Sequence, residues 1–172
     1  MGIRKAAVAG TWYPGQPAAL AAALDGHLAA ADRAAADVRG DLVALIAPHA
    51  GLMYSGPVAA HAYRLLRDRA FDVAVLVGPS HFVGFDGVAT YSSGGFETPF
   101  GVTPIDADGL QASLDARPEH ACGGGPTVAV MRAARLAGAR DAVILNYADS
   151  GDVSGDKSSV VGYLAAALGT FA

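Results

Sequence analysis

The sequence predicts an α/β protein, with an open, largely parallel or mixed sheet and helices on both faces. Three observations support this class. Apolar runs of strand length alternate with longer segments of helical periodicity. Turns rich in Gly, Pro, Asp and Ser follow the apolar runs. The 172 residues, 52% of them hydrophobic, suffice for one core, so we expect a single domain over residues 1–172.

The first half of the chain predicts a βαβ unit. A helix is expected over residues 17–36, because proline suits a first helical turn and leucines recur on one face. Next come a buried strand, "DLVALIAP" (41–48), a second helix over 57–69 and another buried strand, "FDVAVLVGP" (71–79). Such a crossover is right-handed in nearly all proteins and makes its two strands parallel.

The middle of the chain is less regular. "GVATYSS" (87–93) has the composition of a strand, and "GGFETPFGVTPI" (94–105) that of a turn-rich excursion. "DADGLQASLDA" (106–116) begins with Asp106, a suitable helix cap. We therefore expect a strand, a long turn and a short helix.

The last third predicts a helix, a strand and a helix. "GPTVAVMRAARLAGA" (125–139) has helical periodicity, and "DAVILNY" (141–147) is a strand-length apolar run. The alanine-rich segment "SGDKSSVVGYLAAALG" (154–169) is interpreted as a final helix. Ser154 or Asp156 would be its N-cap.

Composition argues against several function classes. The formal net charge of −4, with scattered Lys and Arg, provides no basic surface for nucleic acid. No apolar run approaches the ~20 residues that span a bilayer, and the start "MGIRKAAVAGTWYPG" lacks the apolar core of a signal peptide. One cysteine forms no internal disulfide, which suits a reducing compartment. We expect a cytoplasmic protein without nucleic-acid or membrane partners.

Two histidines follow the two strands of the predicted βαβ unit. His49 lies in "LIAPHAGLMYSG" and His81 in "VLVGPSHFVG", each just past a strand. Parallel strands place their carboxyl ends at one edge of the sheet, where open α/β sheets bind ligands. A lone histidine after a strand is more often a turn or hydrogen-bonding residue. Two in the same context indicate a shared site.

Cys122 stands in "EHACGGGP", immediately before a predicted helix. A helix N-terminus favours the thiolate form, although a single cysteine is more often a small buried hydrophobic residue. Two imidazoles and a thiolate would make a metal site with one position open to water or substrate. This ligand set suits iron, copper and zinc alike. The competing use is a cysteine nucleophile with His49 or His81 as its base.

Other polar and aromatic residues are candidates for the same pocket. Asp149, Ser150 and Asp152 follow a predicted strand, and Asp149 there could orient a histidine or receive a proton. Ordinary turn and cap roles are commoner for these residue types. Tyr54 and Trp12 are candidate pocket walls, and core packing explains them equally well.

The remaining histidines and two serines carry weaker predictions. His27 and His61 fall inside predicted helices, so we interpret them as packing or surface residues. His120 either joins the site or stays solvated. Ser55 and Ser80 are weak nucleophile candidates, because neither lies in a Gly-x-Ser-x-Gly elbow.

Six segments resemble signature segments of the Memo family, also named AmmeMemoRadiSam system protein B. They occur in family order over most of the chain: "AVAGTWYPG", "APHAGLMYSGPVAAHAY", "VGPSHF", "ETPFG", "ACGGGP" and "NYADSGDVSGDKSSVVGYLAAAL". The "PHAG" and "GPSH" segments together are highly specific.

The resemblance implies a fold similar to class III extradiol dioxygenases. It implies one transition-metal ion, iron or copper, bound by two histidines and a cysteine that match His49, His81 and Cys122. Oxidoreductase or dioxygenase-like activity follows as an expectation, with Asp149 or Tyr54 helping to position the substrate. Animal members are described as redox proteins and as binders of phosphotyrosine peptides. Microbial members are named for association with AMMECR-type and radical SAM proteins, which are the expected partners.

The chain departs from the family pattern between about residues 105 and 120. Between "ETPFG" and "ACGGGP" the family normally carries on the order of a hundred more residues. They include an "EHS-x-E-x-Q-L-P-F" segment and an "S-D-x-S-H-Y" segment with another active-site histidine. Their loss strengthens a rival function, a non-catalytic module that binds a phosphopeptide or small anionic ligand in the same pocket. It also exposes a sheet edge, which a homodimer would cover.

Overall fold

The computed structural model describes residues 2–34, 38–84, 89, 94–106 and 124–172. It divides into two compact units: unit 1 contains residues 1–6 and 71–133, and unit 2 contains residues 7–70 and 134–172. Helices and strands occur together, which confirms the α/β class. The single domain stays a prediction. Within the described part of the chain, no helix has the length and apolar character needed to cross a bilayer.

Short strands and helices alternate along the described chain. In order they are β1 (Ile3–Arg4), α1 (Pro17–Ala34), β2 (Gly40–Ile46), α2 (Leu52–Tyr63), β3 (Gly95–Thr98), β4 (Gly101–Pro104), α3 (Gly124–Leu136), β5 (Asp141–Asp149), α4 (Gly151–Ser154) and β6 (Gly162–Phe171). A 3₁₀ turn, Arg64–Leu66, follows α2. The predicted strand over 87–93 and the predicted helix over 106–116 lie outside the described residues, apart from Ala89 and Asp106.

Unit 1 contains a small mixed sheet with the strand order β1-β3-β4. β1 pairs parallel with β3, while β3 and β4 form an antiparallel hairpin. At its turn, Thr98 Oγ1 accepts a hydrogen bond from the Phe100 N–H at 3.1 Å and donates one to the Gly101 carbonyl at 3.0 Å. Gly101 has a φ of +122°, which favours glycine. The segment predicted as a turn-rich excursion is therefore a β-hairpin.

Unit 2 contains an antiparallel sheet with the order β2-β6-β5. β6 is the central strand and pairs antiparallel with both neighbours. Consequently β2 and β5 run parallel to each other on either side of it. The sheet lies against α2, and α1 packs on α2.

The core of unit 2 lies between α2 and the central strand. Val58 and Ala62 of α2 pack against Tyr163 and Ala165 of β6, and all four side chains are buried. The alanines, Ala62 on the helix and Ala165 on the strand, let the two elements approach closely. Leu45 of β2 completes this contact from the neighbouring strand.

α1 reaches α2 at a glycine. A Cβ on Gly56 would lie 3.1 Å from the ring of His27, so glycine permits the close approach of the two helices. Arg67 donates to Asp32 of α1 at 2.5 Å, just beyond the end of α2. His27 is thus a packing residue, as its helical position predicted.

Four predicted elements are confirmed. The helix over 17–36 is α1, described as far as Ala34, and the strands "DLVALIAP" and "DAVILNY" are β2 and β5. The helix over 125–139 is α3, with Gly138 shortly after its end at a φ of +100°. In these four elements, the tertiary contacts favour the same conformation that the local sequence pattern predicts.

The predicted final helix over 154–169 is wrong, because Gly162–Phe171 is strand β6. Its alanines favour a helix by intrinsic propensity. In the fold, β6 lies beneath α2 and is hydrogen-bonded to β2 on one side and to β5 on the other, a position that small side chains suit. These tertiary contacts outweigh the helix propensity of alanine. Ser154 ends the single turn of α4 and Asp156 lies in the following loop, so neither caps a long helix.

The predicted second strand over 71–79 is also wrong. This segment forms neither strand nor helix and is largely exposed. β2 pairs with β6, which offers an antiparallel ladder along almost the whole of β2. The predicted βαβ crossover through residues 71–79 is therefore absent. The described residues form two small sheets, one mixed and one antiparallel, instead of a single largely parallel or mixed sheet.

α2 begins at Leu52, five residues before the predicted start, and ends at Tyr63 rather than at residue 69. The prediction placed Pro57 in the first turn, where its missing N–H costs nothing. The helix instead contains Pro57 in its interior, so the Met53 carbonyl loses its helical donor. Burial of Val58 and Ala62 against β6 compensates for this loss.

Candidate functional site

His49 and Asp149 lie at the same edge of the unit 2 sheet. β2 and β5 run parallel on either side of β6, so their carboxyl ends share one edge. Asp149 ends β5, and His49 follows the end of β2 by three residues. Their chain neighbours, Ala148 and Ala50, pack against the same cluster around Tyr163. Strands two apart are separated by about 10 Å, so the ends of β2 and β5 lie at about this spacing along the edge.

The turn that carries His49 is fixed by hydrogen bonds. Ser55 Oγ donates to the Ala50 carbonyl at 2.9 Å, and the Leu52 N–H donates to the Trp12 carbonyl at 2.8 Å. His49 itself is exposed. Ser55 is buried and engaged in this bond, so it stabilises the turn.

A shallow groove lies beside this turn. Its volume is about 340 Å³, and it is lined by Thr11, Trp12, Gly51, Met53 and Tyr54. The structure thus brings the two aromatic candidates together on one surface. Their rings offer flat apolar area with a polar tip, which suits a planar ligand group.

The loop from β5 to β6 holds Asp149 through short contacts. Lys157 Nζ donates to Asp149 Oδ1 at 2.8 Å and to Asp152 Oδ1 at 2.5 Å. The Gly151 N–H donates to Asp149 Oδ1, and the Asp149 N–H donates to Asp152 Oδ2, both at 2.8 Å. Hydrogen bonds to Asp149 and Asp152 raise the pKa of Lys157, and the bond from Lys157 lowers the pKa of Asp152. One ammonium group therefore links two carboxylates.

Two hydrogen bonds between Ser150 and Val161 also close this loop, and neither involves Lys157. The Ser150 N–H donates to the Val161 carbonyl at 2.9 Å, and the Val161 N–H donates to Ser150 Oγ at 3.0 Å. A Cβ on Gly151 would lie 2.6 Å from both the Asp156 carbonyl oxygen and Lys157 Cδ, so only glycine fits. Ser150, a candidate for the site, thus has a loop-closing role.

The other two predicted metal ligands do not belong to unit 2. His81 belongs to unit 1, where it is exposed and its ring centroid is 6.3 Å from that of Phe82. Cys122 and His120 lie outside the described residues. Among the residues that the structure does describe, no three His, Cys, Asp or Glu side chains gather into a group that could hold a metal ion. The His49–His81–Cys122 set remains a prediction.

His61 has an environment that the sequence did not reveal. It is buried in α2, and its Nδ1 has no hydrogen-bond partner in the described part of the structure. Burial lowers the pKa of His61, and the positive charge of Arg64 lowers it further. Its place in a helix predicted packing, but a missing partner depends on tertiary neighbours and leaves no local signal.

Because of His61, the free energy of unfolding should fall on mild acidification. Below its usual value of 6.5, the unfolded chain takes up a proton that the folded protein, with its lower His61 pKa, does not. Stability is therefore lost as the pH falls through 6.5 and levels off below the folded-state pKa. Urea unfolding at pH 7.5 and pH 5.5 should show a larger fall for the wild type than for His61→Leu. Equal falls would contradict the prediction.

Comparison with known proteins identifies relatives of this chain. A family model described as Memo-like protein matches residues 4–118 and 109–167. A MEMO1 family protein of Methanothermobacter thermautotrophicus is 39% identical over 115 residues, which cover 64% of this chain and 42% of that protein. Protein MEMO1 of Xenopus tropicalis is 37% identical over 103 residues, covering 60% of this chain and 33% of that protein.

A third relative matches a similar share of this chain. A MEMO1 family protein of Nitrosopumilus maritimus is 33% identical over 109 residues, covering 62% of this chain and 39% of that protein. In all three comparisons the matched region spans less than half of the relative. No solved structure matches the chain significantly.

Proposed function

This chain belongs to the Memo-like protein family, and on that premise we propose that it binds one transition-metal ion through His49, His81 and Cys122. Iron or copper is the proposed ion, and zinc is also compatible with two imidazoles and a thiolate. The observation that carries the proposal is the exposed position of His49 at a sheet edge, on a hydrogen-bonded turn that shares this edge with Asp149. The carboxyl ends of parallel strands are frequent ligand sites in α/β proteins, and β2 and β5 run parallel on either side of β6.

The proposed activity is oxidoreductase chemistry of the dioxygenase type, on a fold resembling class III extradiol dioxygenases. When bound, the ion supplies Lewis-acid and redox chemistry. Trp12 and Tyr54 orient a planar substrate group in the groove beside His49. Asp149 orients an imidazole or receives a proton, which are common roles of carboxylates behind histidine ligands.

Elemental analysis of protein purified without a histidine tag tests the metal proposal. The wild type should hold near-stoichiometric iron or copper, while His49→Ala and Cys122→Ala should lose it, because each removes one of three protein ligands. His27→Gln is the matched control, since His27 packs between two helices and is no proposed ligand. Metal retained in Cys122→Ala would contradict the ligand assignment. A wild type without metal, even after reconstitution, would contradict metal binding itself.

A second candidate function is a binding module without catalysis. The open groove at Trp12 and Tyr54 favours it, because such a surface can hold the ring of a phosphotyrosine peptide or of a small anionic ligand. Matches that span less than half of the relatives also leave the catalytic parts of the family unaccounted for. Binding of a phosphotyrosine peptide by metal-loaded protein, without turnover of catechol-like substrates, would favour this function.

The cellular setting is also a proposal. We place the protein in the cytoplasm and in the AmmeMemoRadiSam system, with AMMECR-type and radical SAM proteins as partners. A single cysteine suits that reducing compartment. We propose a homodimer because unit 1 exposes apolar side chains such as Leu76 and Phe82, 88% and 98% exposed. Light scattering that reports a monomer at micromolar concentration would contradict the dimer.

A further inference from the structure

We infer that residues 71–79 of unit 1 form an antiparallel strand pair with the same residues of a second copy, about a two-fold axis at Val75. The inference rests on the proposed homodimer and deepens it, because it names the segment and the register through which two copies bind. In the single chain this segment forms neither helix nor strand, and residues 71–78 are all exposed.

The backbone of this segment has no partner strand among the described residues. No described residue exchanges a backbone hydrogen bond with residues 71–79. Unpaired backbone of this kind is a template for a further strand. Its centre, "VAVLV" (73–77), contains neither charge nor proline, and its three valines favour the strand conformation. The partner that fits this backbone is therefore another uncharged segment able to form a strand.

The segment is complementary to itself when two copies run antiparallel and Val75 lies opposite its own copy. Val73 then lies opposite Val77, and Ala74 lies opposite Leu76, so that a small side chain meets a large one. The three valines share one face of the pair, because side chains alternate along a strand. A two-fold axis joins the same surface of both copies, which is the commonest symmetry of homo-oligomers.

The positions of one charge and one proline favour this register. Asp72 is the only charged residue of the segment, and pairing about Val75 places it opposite Gly78, which has no side chain. A parallel pair in register would instead place Asp72 beside its own copy, where like charges repel. An axis at Leu76 would bring Pro79 into the ladder, where its missing N–H removes a hydrogen bond. Antiparallel pairing about Val75 avoids both costs.

Sedimentation equilibrium of the full chain at micromolar concentration tests the strand pair. Val75→Lys should raise the dissociation constant of the dimer about tenfold or more, because two ammonium groups would lie opposite each other on the axis. Val83→Lys is the matched control, since Val83 is 64% exposed, compared with 66% for Val75, and lies in the same unit beyond the paired residues. It should stay within about threefold of the wild type. Urea unfolding midpoints show whether each variant remains folded.

Disulfide cross-linking in a Cys122→Ala background tests the register, because the added cysteine is then the only thiol of the chain. Val75→Cys should form an intermolecular disulfide in a glutathione redox buffer, since Cα atoms of residues directly opposite lie about 5 Å apart. Val77→Cys alone should not, because its own copy would lie more than about 13 Å away along the pair. Mixing Val73→Cys with Val77→Cys should restore the cross-link.

The outcomes separate the strand pair from the homodimer. A wild type that is monomeric at micromolar concentration would overturn both. A dimer that Val75→Lys leaves intact, or that Val83→Lys weakens equally, would overturn the strand pair and leave the homodimer standing. A cross-link that forms as readily in Val77→Cys as in Val75→Cys, or in neither, would overturn the axis at Val75.

Discussion

Gly169→Ala should destabilise the protein by about 3 kcal/mol, enough to unfold unit 2 in a marginally stable chain. Gly169 lies in β6 and pairs with Leu42 on one side and Asp141 on the other. A Cβ there would overlap the Asp41 carbonyl oxygen and lie 2.7 Å from the Phe171 ring. The Asp41 carbonyl belongs to the backbone of β2, which cannot move away without breaking its hydrogen bonds to β6. The added methyl group should therefore disrupt the pairing of β2 with β6.

Gly162→Ala provides the matched control for this prediction. It adds the same methyl group to the same strand, but the Cβ would meet the Tyr147 hydroxyl at 2.8 Å, at the far end of a side chain. A small rotation of Tyr147 relieves that contact. Urea unfolding followed by circular dichroism should therefore show a much lower midpoint for Gly169→Ala than for Gly162→Ala. Similar midpoints would mean that the β2–β6 ladder tolerates a side chain at residue 169.

Ala165→Asp should also cost about 3 kcal/mol or more, by another mechanism. Ala165 has no exposed surface and packs against Val58 and Ala62. An ionised carboxylate there would lose its hydration among the apolar side chains of this cluster. Its pKa should therefore rise in the folded state, and the variant should regain part of its stability on acidification, because protonation removes the buried charge.

Leu164→Asp is the control for that substitution. Leu164 is the preceding residue of β6, points to the opposite face of the sheet and is 37% exposed. A carboxylate there can reach water, so the loss of stability should be clearly smaller. Thermal unfolding of both variants at pH 7 and pH 5 checks the two expectations together. A destabilisation of Ala165→Asp that does not ease at pH 5 would argue against a buried charge as its cause.

Elements were predictable from sequence where local pattern and tertiary setting agree. Proline at residue 17 and the leucine stripe are sufficient for α1, and apolar runs are sufficient for β2 and β5. β6 was not predictable in this way, because alanine has no periodic contrast that distinguishes a helix from a strand. Only the two neighbouring strands and the helix above it determine its conformation.

The candidate site was partly predictable for a similar reason. The sequence predicts His49 and Asp149 because each follows a predicted strand, and the structure places the ends of β2 and β5 at one edge. They share it through an intervening antiparallel strand, not through the predicted βαβ crossover. Lys157 could not be predicted, since its contact with Asp149 exists only after the loop closes.

The central position of β6 also determines the order in which unit 2 can fold. β6 follows every other strand that the structure describes, yet both β2 and β5 depend on it for pairing, and Gly40 pairs with Phe171. During synthesis, β2 and the helices that follow it are therefore made before their partner strand. Their apolar faces stay uncovered until β6 has been synthesised. Such long-range closure slows folding and leaves apolar surface open to aggregation in that interval.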